Sequence, residues 1–115
     1  MLVIFIWQHI QIAGTSLESQ LPLLIAQIEH INAVNNLDEI LQVKGLDAII
    51  VGPYDLSASM GITGKFDTRK FIEVMDSIIN SCKKYNVPCG DHVVQPNQKL
   101  LEKRIQQGYK FIAFG

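Results

Sequence analysis

The chain has 115 residues, 48% of them hydrophobic, and 10 basic against 11 acidic side chains give a net charge of −1. That is one domain of modest size with enough apolar residues for a buried core. The balanced charge excludes nucleic acid or an anionic membrane as the principal partner, because both demand a basic surface.

Residues 1–7 are very apolar, but a bilayer span needs roughly 20 apolar residues, and a secretory leader needs a basic start and a small-residue cleavage site. A strand or the start of a buried helix is expected there. Residues 21–29 form an almost continuous apolar run, as in a strand buried on both faces. Residues 31–43 carry Val34, Leu37, Ile40 and Leu41 at helical spacing, with Asn35 and Asn36 as caps and Lys44-Gly45 as the stop. Residues 47–52 predict a second buried strand. Asp67 is expected to cap a long helix over 68–85, whose apolar stripe of Phe71, Val74, Met75, Ile78, Ile79 and Cys82 steps by three and four; Asn86 ends it. Residues 87–91 predict a third strand. Pro96 opens another helix with Leu100, Leu101 and Ile105 on one face, Gly108 stops it, and residues 109–114 predict a fourth strand.

The order β-α-β-α-β-α-β with short connections dictates an α/β fold, a parallel β-sheet with helices packed outside. Four such strands suit a small open sheet or half of an eight-stranded barrel of about 250 residues, and the periodicity leaves both open. The end of the chain at Phe114-Gly115, in or just after a strand, favours a piece of something larger. Cys82 and Cys89 form no CxxC pair and read as buried thiols of a reducing, cytoplasmic compartment.

Chemistry is expected at the carboxyl ends of the strands, where parallel α/β proteins bind ligands. Gln27 and Glu29 are two apart and share a strand face, and polar residues there are costly unless they bind something. Asp55 follows the next strand on a Gly52-Pro53 turn whose backbone lets a ligand approach closely. Glu29 and Asp55 can converge on one hard divalent cation, since magnesium and manganese sites use one or two carboxylates with water and substrate oxygens. The alternative is that Glu29 pairs with a surface lysine and Asp55 caps the short turn over 56–59. His92, beside Asp91 at a strand end, is a candidate acid, base or ligand, or a hydrogen-bonded structural histidine. His30 is expected to point away from Glu29. Ser57 and Ser59 have no partners for a hydrolytic triad. Lys65, near Gly61 and Gly64, lacks P-loop spacing and reads as part of a mobile loop.

The segments Ala26-Gln27-Ile28-Glu29-His30, Asn36-Leu37-Asp38-Glu39-Ile40, Gly45-Leu46-Asp47 and Val51-Gly52-Pro53-Tyr54-Asp55-Leu56-Ser57 together resemble the HpcH/HpaI aldolase/citrate lyase family, in particular its class II pyruvate aldolases of the 2-dehydro-3-deoxyglucarate aldolase type. The resemblance runs from about residue 21 to 115 and leaves residues 1–20 as a separate apolar segment of doubtful relation to the domain. It implies a (β/α)8 TIM barrel of which this chain holds the C-terminal half, strands five to eight, and a homo-oligomeric assembly. It implies metal ligands at Glu29 and Asp55, with Mg2+ or Mn2+ bound and Co2+ also suited to two carboxylates. It places Gln27 near a small 2-oxo acid, and the turn at Gly52, Pro53 and Tyr54 against that acid's carboxylate. The implied reaction is cleavage of 4-hydroxy-2-oxo acids such as 2-dehydro-3-deoxyglucarate to pyruvate and an aldehyde, with the metal as Lewis acid. The family's general-base His and carboxylate-binding Arg belong to the first half of the barrel. Residues 1–20 hold no Arg, and His9 lacks the family's context, which implies a fragment. Two alternatives follow: a non-catalytic half-barrel that pairs with another chain, and a citrate lyase-like acyl-CoA lyase, for which no basic cluster for the CoA phosphates is evident.

Overall fold

The computed structural model describes residues 2–6, 10–12, 15–17, 23–93 and 98–114. Its strands are β1 (Leu2–Ile6), β2 (Ile10–Ile12), β3 (Thr15–Leu17), β4 (Leu23–Ile28), β5 (Ala48–Val51), β6 (Cys89–Val93) and β7 (Phe111–Phe114). β4, β5, β6 and β7 pair in parallel in that order. β1 adds to the other side of β4 in antiparallel sense, with Leu2 opposite Gln27 and Ile6 opposite Leu23, so the strand reading of residues 1–7 holds for 2–6. β2 and β3 pair with each other in a separate two-stranded sheet.

The helices are α1 (Ile31–Asn35), α2 (Leu37–Leu41), α3 (Pro53–Ser59), α4 (Arg69–Tyr85) and α5 (Gln98–Gln107). The single helix expected over 31–43 is two short ones. Asn36 leaves helical geometry at φ −106° and ψ 16°, and its side-chain amide donates to Asn32 O at 2.9 Å, where it competes with the backbone ladder. The cap of α1 is His30, whose Nδ1 accepts from Asn32 N at 3.0 Å; Asn36 makes no side-chain cap bond to α2. The short turn expected over 56–59 is instead the body of α3, with Pro53 in its first turn and Gly52 at its N-cap.

α4 carries the densest apolar stripe. Phe71, Met75, Ile78, Ile79 and Cys82 are buried, and Val74 packs half-buried against them. Its N-cap is Thr68, not Asp67. Thr68 is the last extended residue (φ −71°, ψ 146°), and its hydroxyl accepts from Phe71 N at 3.4 Å; Asp67 lies one residue too early. Asn86 closes α4 in the left-handed region at φ 56°, its N–H shared by Cys82 O and Lys83 O, a stop that asparagine tolerates better than most residues.

The core lies between the sheet and the helices. Ile28, Ile49, Val51, Leu56 and Ile78 are fully buried, each worth about 1.5–3 kcal/mol relative to exposure. Cys82 and Cys89 are buried free thiols, as expected. The third parallel strand begins at Cys89 and runs past Asp91 to Val93, so Asp91 is inside the strand rather than at its end. Tyr109, expected in the last strand, precedes it as a buried core residue. Ile105, expected on the apolar face of α5, is 57% exposed. The side chains of Leu100 and Leu101, and Pro96 itself, lie outside the described residues, as do His9 and residues 21–22. Lys65 sits in a turn tied to α3, with Ile62 N bonded to Ser57 O, Gly64 N to Ser57 Oγ and Lys65 N to Ile62 O, all at 2.9–3.0 Å. Among the described residues no helix is long and apolar enough to cross a membrane.

Candidate active site at the strand ends

Strand alternation sets the first part of the site. Ile28 is buried against the helices, so Gln27 and Glu29 on either side of it face the other way. Gly52, just beyond β5, extends the ladder by donating its N–H to Ile28 O at 3.0 Å. A Cβ on Gly52 would stand 3.0 Å from Gln27 Nε2 and 3.5 Å from Glu29 Cβ. Gln27 thus occupies the space that a side chain at 52 would fill, and a larger residue there would have to displace the Gln27 amide.

The polypeptide then turns at Pro53 into α3, whose first turn holds Asp55. Asp55 and Glu29 line one open groove of about 760 Å3 together with His30, Asn32, Asn36 and Ser59. The groove's walls are joined by Ser59, whose Oγ accepts from Ile31 N at 2.9 Å and donates to Leu56 O at 2.6 Å. Ser57 donates to Tyr54 O at 2.9 Å. Both serines are therefore ties within the scaffold. His30 lines the groove beside Glu29 but spends Nδ1 on the α1 cap.

The other sequence candidates fall around this groove. Pro53 is buried and Tyr54 is exposed. The Tyr54 ring meets Phe66 edge-on at 4.9 Å, so its side chain serves the following loop and only its backbone borders the turn. Since the Gly52 N–H is engaged and Pro53 has none, Tyr54 N is the first amide of α3 left without an acceptor inside the helix. The donor set at the groove is two carboxylates with neutral amides nearby. That chemistry fits a hard divalent cation completed by water or ligand oxygens; no group of three or more His, Cys, Asp or Glu suited to a metal occurs among the described residues.

A second polar arrangement escaped the sequence reading. Asp91 is 1% exposed, and Arg104 Nε of α5 lies 2.8 Å from its Oδ2 as an ion pair outside hydrogen-bond alignment, while Oδ1 has no hydrogen-bond partner among the described residues. Arg104 also donates to Gln107 Oε1 at 2.8 Å and lies over the Tyr109 ring at 5.9 Å. Burial pushes the Asp91 carboxyl up to about 6 against the opposing pull of Arg104. The hydrogen bond with Cys82, together with burial, holds the Cys89 thiol well above its ordinary value. A signal was present: Arg104 falls three and four residues after Leu101 and Leu100, in the apolar phase of its helix, opposite an acid in a buried strand.

A family model described as HpcH/HpaI aldolase/citrate lyase matches residues 8–115. The 2-keto-3-deoxy-L-rhamnonate aldolase of Escherichia coli O6:K15:H31 is 32% identical over 92 residues, covering 80% of this chain and 34% of that protein. The chain thus spans about a third of the length of the curated relatives it matches. The crystal structure of an HpcH/HpaI aldolase from Desulfitobacterium hafniense DCB-2 superposes with a TM-score of 0.72 at 32% identity, over 79% of this chain and 35% of that one. The citrate lyase beta subunit from M. tuberculosis, complexed with oxaloacetate and magnesium, shares the fold with a TM-score of 0.63 at 16% identity, over 78% of this chain and 45% of that one.

Proposed function

The chain belongs to the HpcH/HpaI aldolase/citrate lyase family, and from that premise we propose that it carries the metal and 2-oxo-acid site of a class II pyruvate aldolase. The reaction is cleavage of a 4-hydroxy-2-oxo acid, such as 2-dehydro-3-deoxyglucarate, to pyruvate and an aldehyde. The observation that carries the reading is the convergence of Glu29 and Asp55 on one groove, next to Gln27, whose amide lies over Gly52. Mg2+ or Mn2+ is the proposed ion, and when bound it supplies Lewis-acid stabilisation of the charge that builds on the 2-oxo oxygen.

Each residue then has a task. Glu29 and Asp55 supply the negative charge that holds the cation. Gln27 offers an amide donor beside the bound acid, and Gly52 leaves room for that amide. The Tyr54 N–H in the first turn of α3 is assigned to the acid's carboxylate. Ser59 fixes α1 against α3 and so sets the spacing of the two metal-holding carboxylates. The base that takes the 4-hydroxyl proton is assigned to the half of the barrel that this chain does not span.

The test is a titration with Mn2+ followed by electron paramagnetic resonance of the free ion. The unsubstituted chain is expected to bind Mn2+ with one site, and the Glu29→Gln, Asp55→Asn double variant to lose at least tenfold in affinity. Equal affinity in the two proteins would remove the metal site from these residues.

A further inference from the structure

The parallel ladder determines which side chains share a face. Gln27 is level with Ile50, and Ile50 with Gly90; one step on, Ile28, Val51 and Asp91 form the next row. Side chains within a row of a parallel sheet point the same way, and successive rows alternate. Ile28 and Val51 are buried and Asp91 meets Arg104 of α5, so that row faces the helices. The following row is Glu29, Gly52 and His92. Gly52 continues the ladder through its bond to Ile28 O, and β6 runs on past His92 to Val93. The direction of the absent Gly52 Cβ, toward Gln27 Nε2 and Glu29 Cβ, agrees that this row faces the Gln27 side.

His92 is therefore a half-buried residue on the same face as Glu29, two strands away, or about 10 Å at roughly 4.8 Å per strand. Between them stands a glycine, and the Gln27 row beneath offers only Ile50 and a second glycine, Gly90, on the way to His92. Between Glu29 and His92 this row therefore carries only the backbone of Gly52, with the Gln27 amide lying over it.

Building on the proposed function above, we propose that His92 is a specificity-determining residue: it receives the polar tail of the substrate, the hydroxyl or carboxylate that lies beyond the cleaved bond. With its 2-oxo-acid head at Glu29 and Asp55, an extended six-carbon acid runs past the Gln27 amide, along the sheet face shared by Glu29, Gly52 and His92, toward the imidazole. An imidazole offers one donor and one acceptor when neutral and two donors when charged, so it can bond either group. A site built to hydrogen-bond such a group rejects an analogue that lacks it far more strongly than an apolar pocket discriminates by size.

Two probes separate tail from head. 2-Dehydro-3-deoxyglucarate carries a hydroxyl and a carboxylate beyond C4; 4-hydroxy-2-oxopentanoate shares the head and the 4-hydroxyl but ends in a methyl group. The chain has three histidines, so the imidazole nitrogens of His92 can be followed by 15N NMR and assigned by their loss in His92→Gln. In the full chain with Mg2+, the His92 nitrogens are expected to shift with the glucarate derivative and to stay in place with the pentanoate. The ratio of the two affinities is expected to fall at least tenfold in His92→Leu and to be partly retained in His92→Gln. If both acids bind in a Glu29- and Asp55-dependent way while the ratio in His92→Leu matches the unsubstituted chain and the imidazole is silent, the His92 assignment is overturned and the site reading stands. If binding ignores Glu29 and Asp55, the site reading fails and takes this assignment with it. Should His92→Leu not fold, the imidazole shifts of the unsubstituted chain decide.

Discussion

Asp91 holds a carboxyl group in the core with one oxygen beside Arg104 Nε at 2.8 Å and the other without a hydrogen-bond partner among the described residues. Burial raises its pKa to about 6, above the ordinary carboxyl value of about 3.9. Between those two values the folded chain binds more protons than the unfolded chain, so stability falls as pH rises. The contribution of this group is fully present below the unfolded value and is lost as pH rises through about 6. Raising the pH from 5 to 7.5 therefore costs about 1 kcal/mol at this site. Urea unfolding at the two pH values is expected to show that loss in the unsubstituted chain and not in Asp91→Asn; the same pH dependence in both would place the titration elsewhere. At this scale the sequence was informative about single residues and poor about pairs. The placement of Gln27, Glu29, Gly52 and Asp55 at the strand ends was legible because strand alternation and strand-end position are local properties. The Asp91–Arg104 pair was not, because the apolar face of α5 was set at Leu100, Leu101 and Ile105, and only the packing of α5 brings Arg104 to Asp91 and leaves Ile105 exposed.

Among the elements, the long periodic ones were legible and the short ones were not. α4 follows from its apolar stripe, and its ends from Thr68 and Asn86. The helix cap was misplaced by one residue because Asp67 and Thr68 are both good caps in isolation, and the backbone turn decides between them. The expected consequence is asymmetric: Thr68→Ala costs about 1 kcal/mol, as loss of a cap does, while Asp67→Ala stays within about 0.5 kcal/mol, as at an ordinary surface position. Thermal unfolding of the two variants checks this, and equal losses would contradict the cap. The break at Asn36 was hidden for a different reason. The apolar spacing continues across it, and only the side-chain bond to Asn32 O, a local competitor for the backbone, ends α1 after one turn. His30 gave no sign of being a cap because imidazole acceptors are uncommon there.

Among the described residues the main sheet has four parallel strands with an antiparallel strand at one side, and the chain covers about 35% of the barrel enzyme it superposes on. The βαβ order made the parallel sheet readable from the sequence, but periodicity left open sheet and half barrel equivalent. The resemblance and then the superposition with known barrels resolved it. A sheet whose last strand, β7, has one partner among the described strands offers backbone groups for pairing. The account therefore predicts self-association, read as a concentration-dependent sedimentation coefficient; a single monomeric species up to about 100 μM would contradict it, that range bracketing the micromolar affinity class.

The central claim is that this chain brings a divalent cation and a 2-oxo acid together at Glu29 and Asp55. The most direct measurement is the relaxation of the pyruvate methyl protons by Mn2+ in the presence of the chain. The account predicts relaxation well above that of Mn2+ and pyruvate alone, reversed by excess Mg2+ and absent with the Glu29→Gln, Asp55→Asn variant. Relaxation that is equally enhanced by the variant, or not enhanced by the unsubstituted chain while Mn2+ is bound, would contradict it.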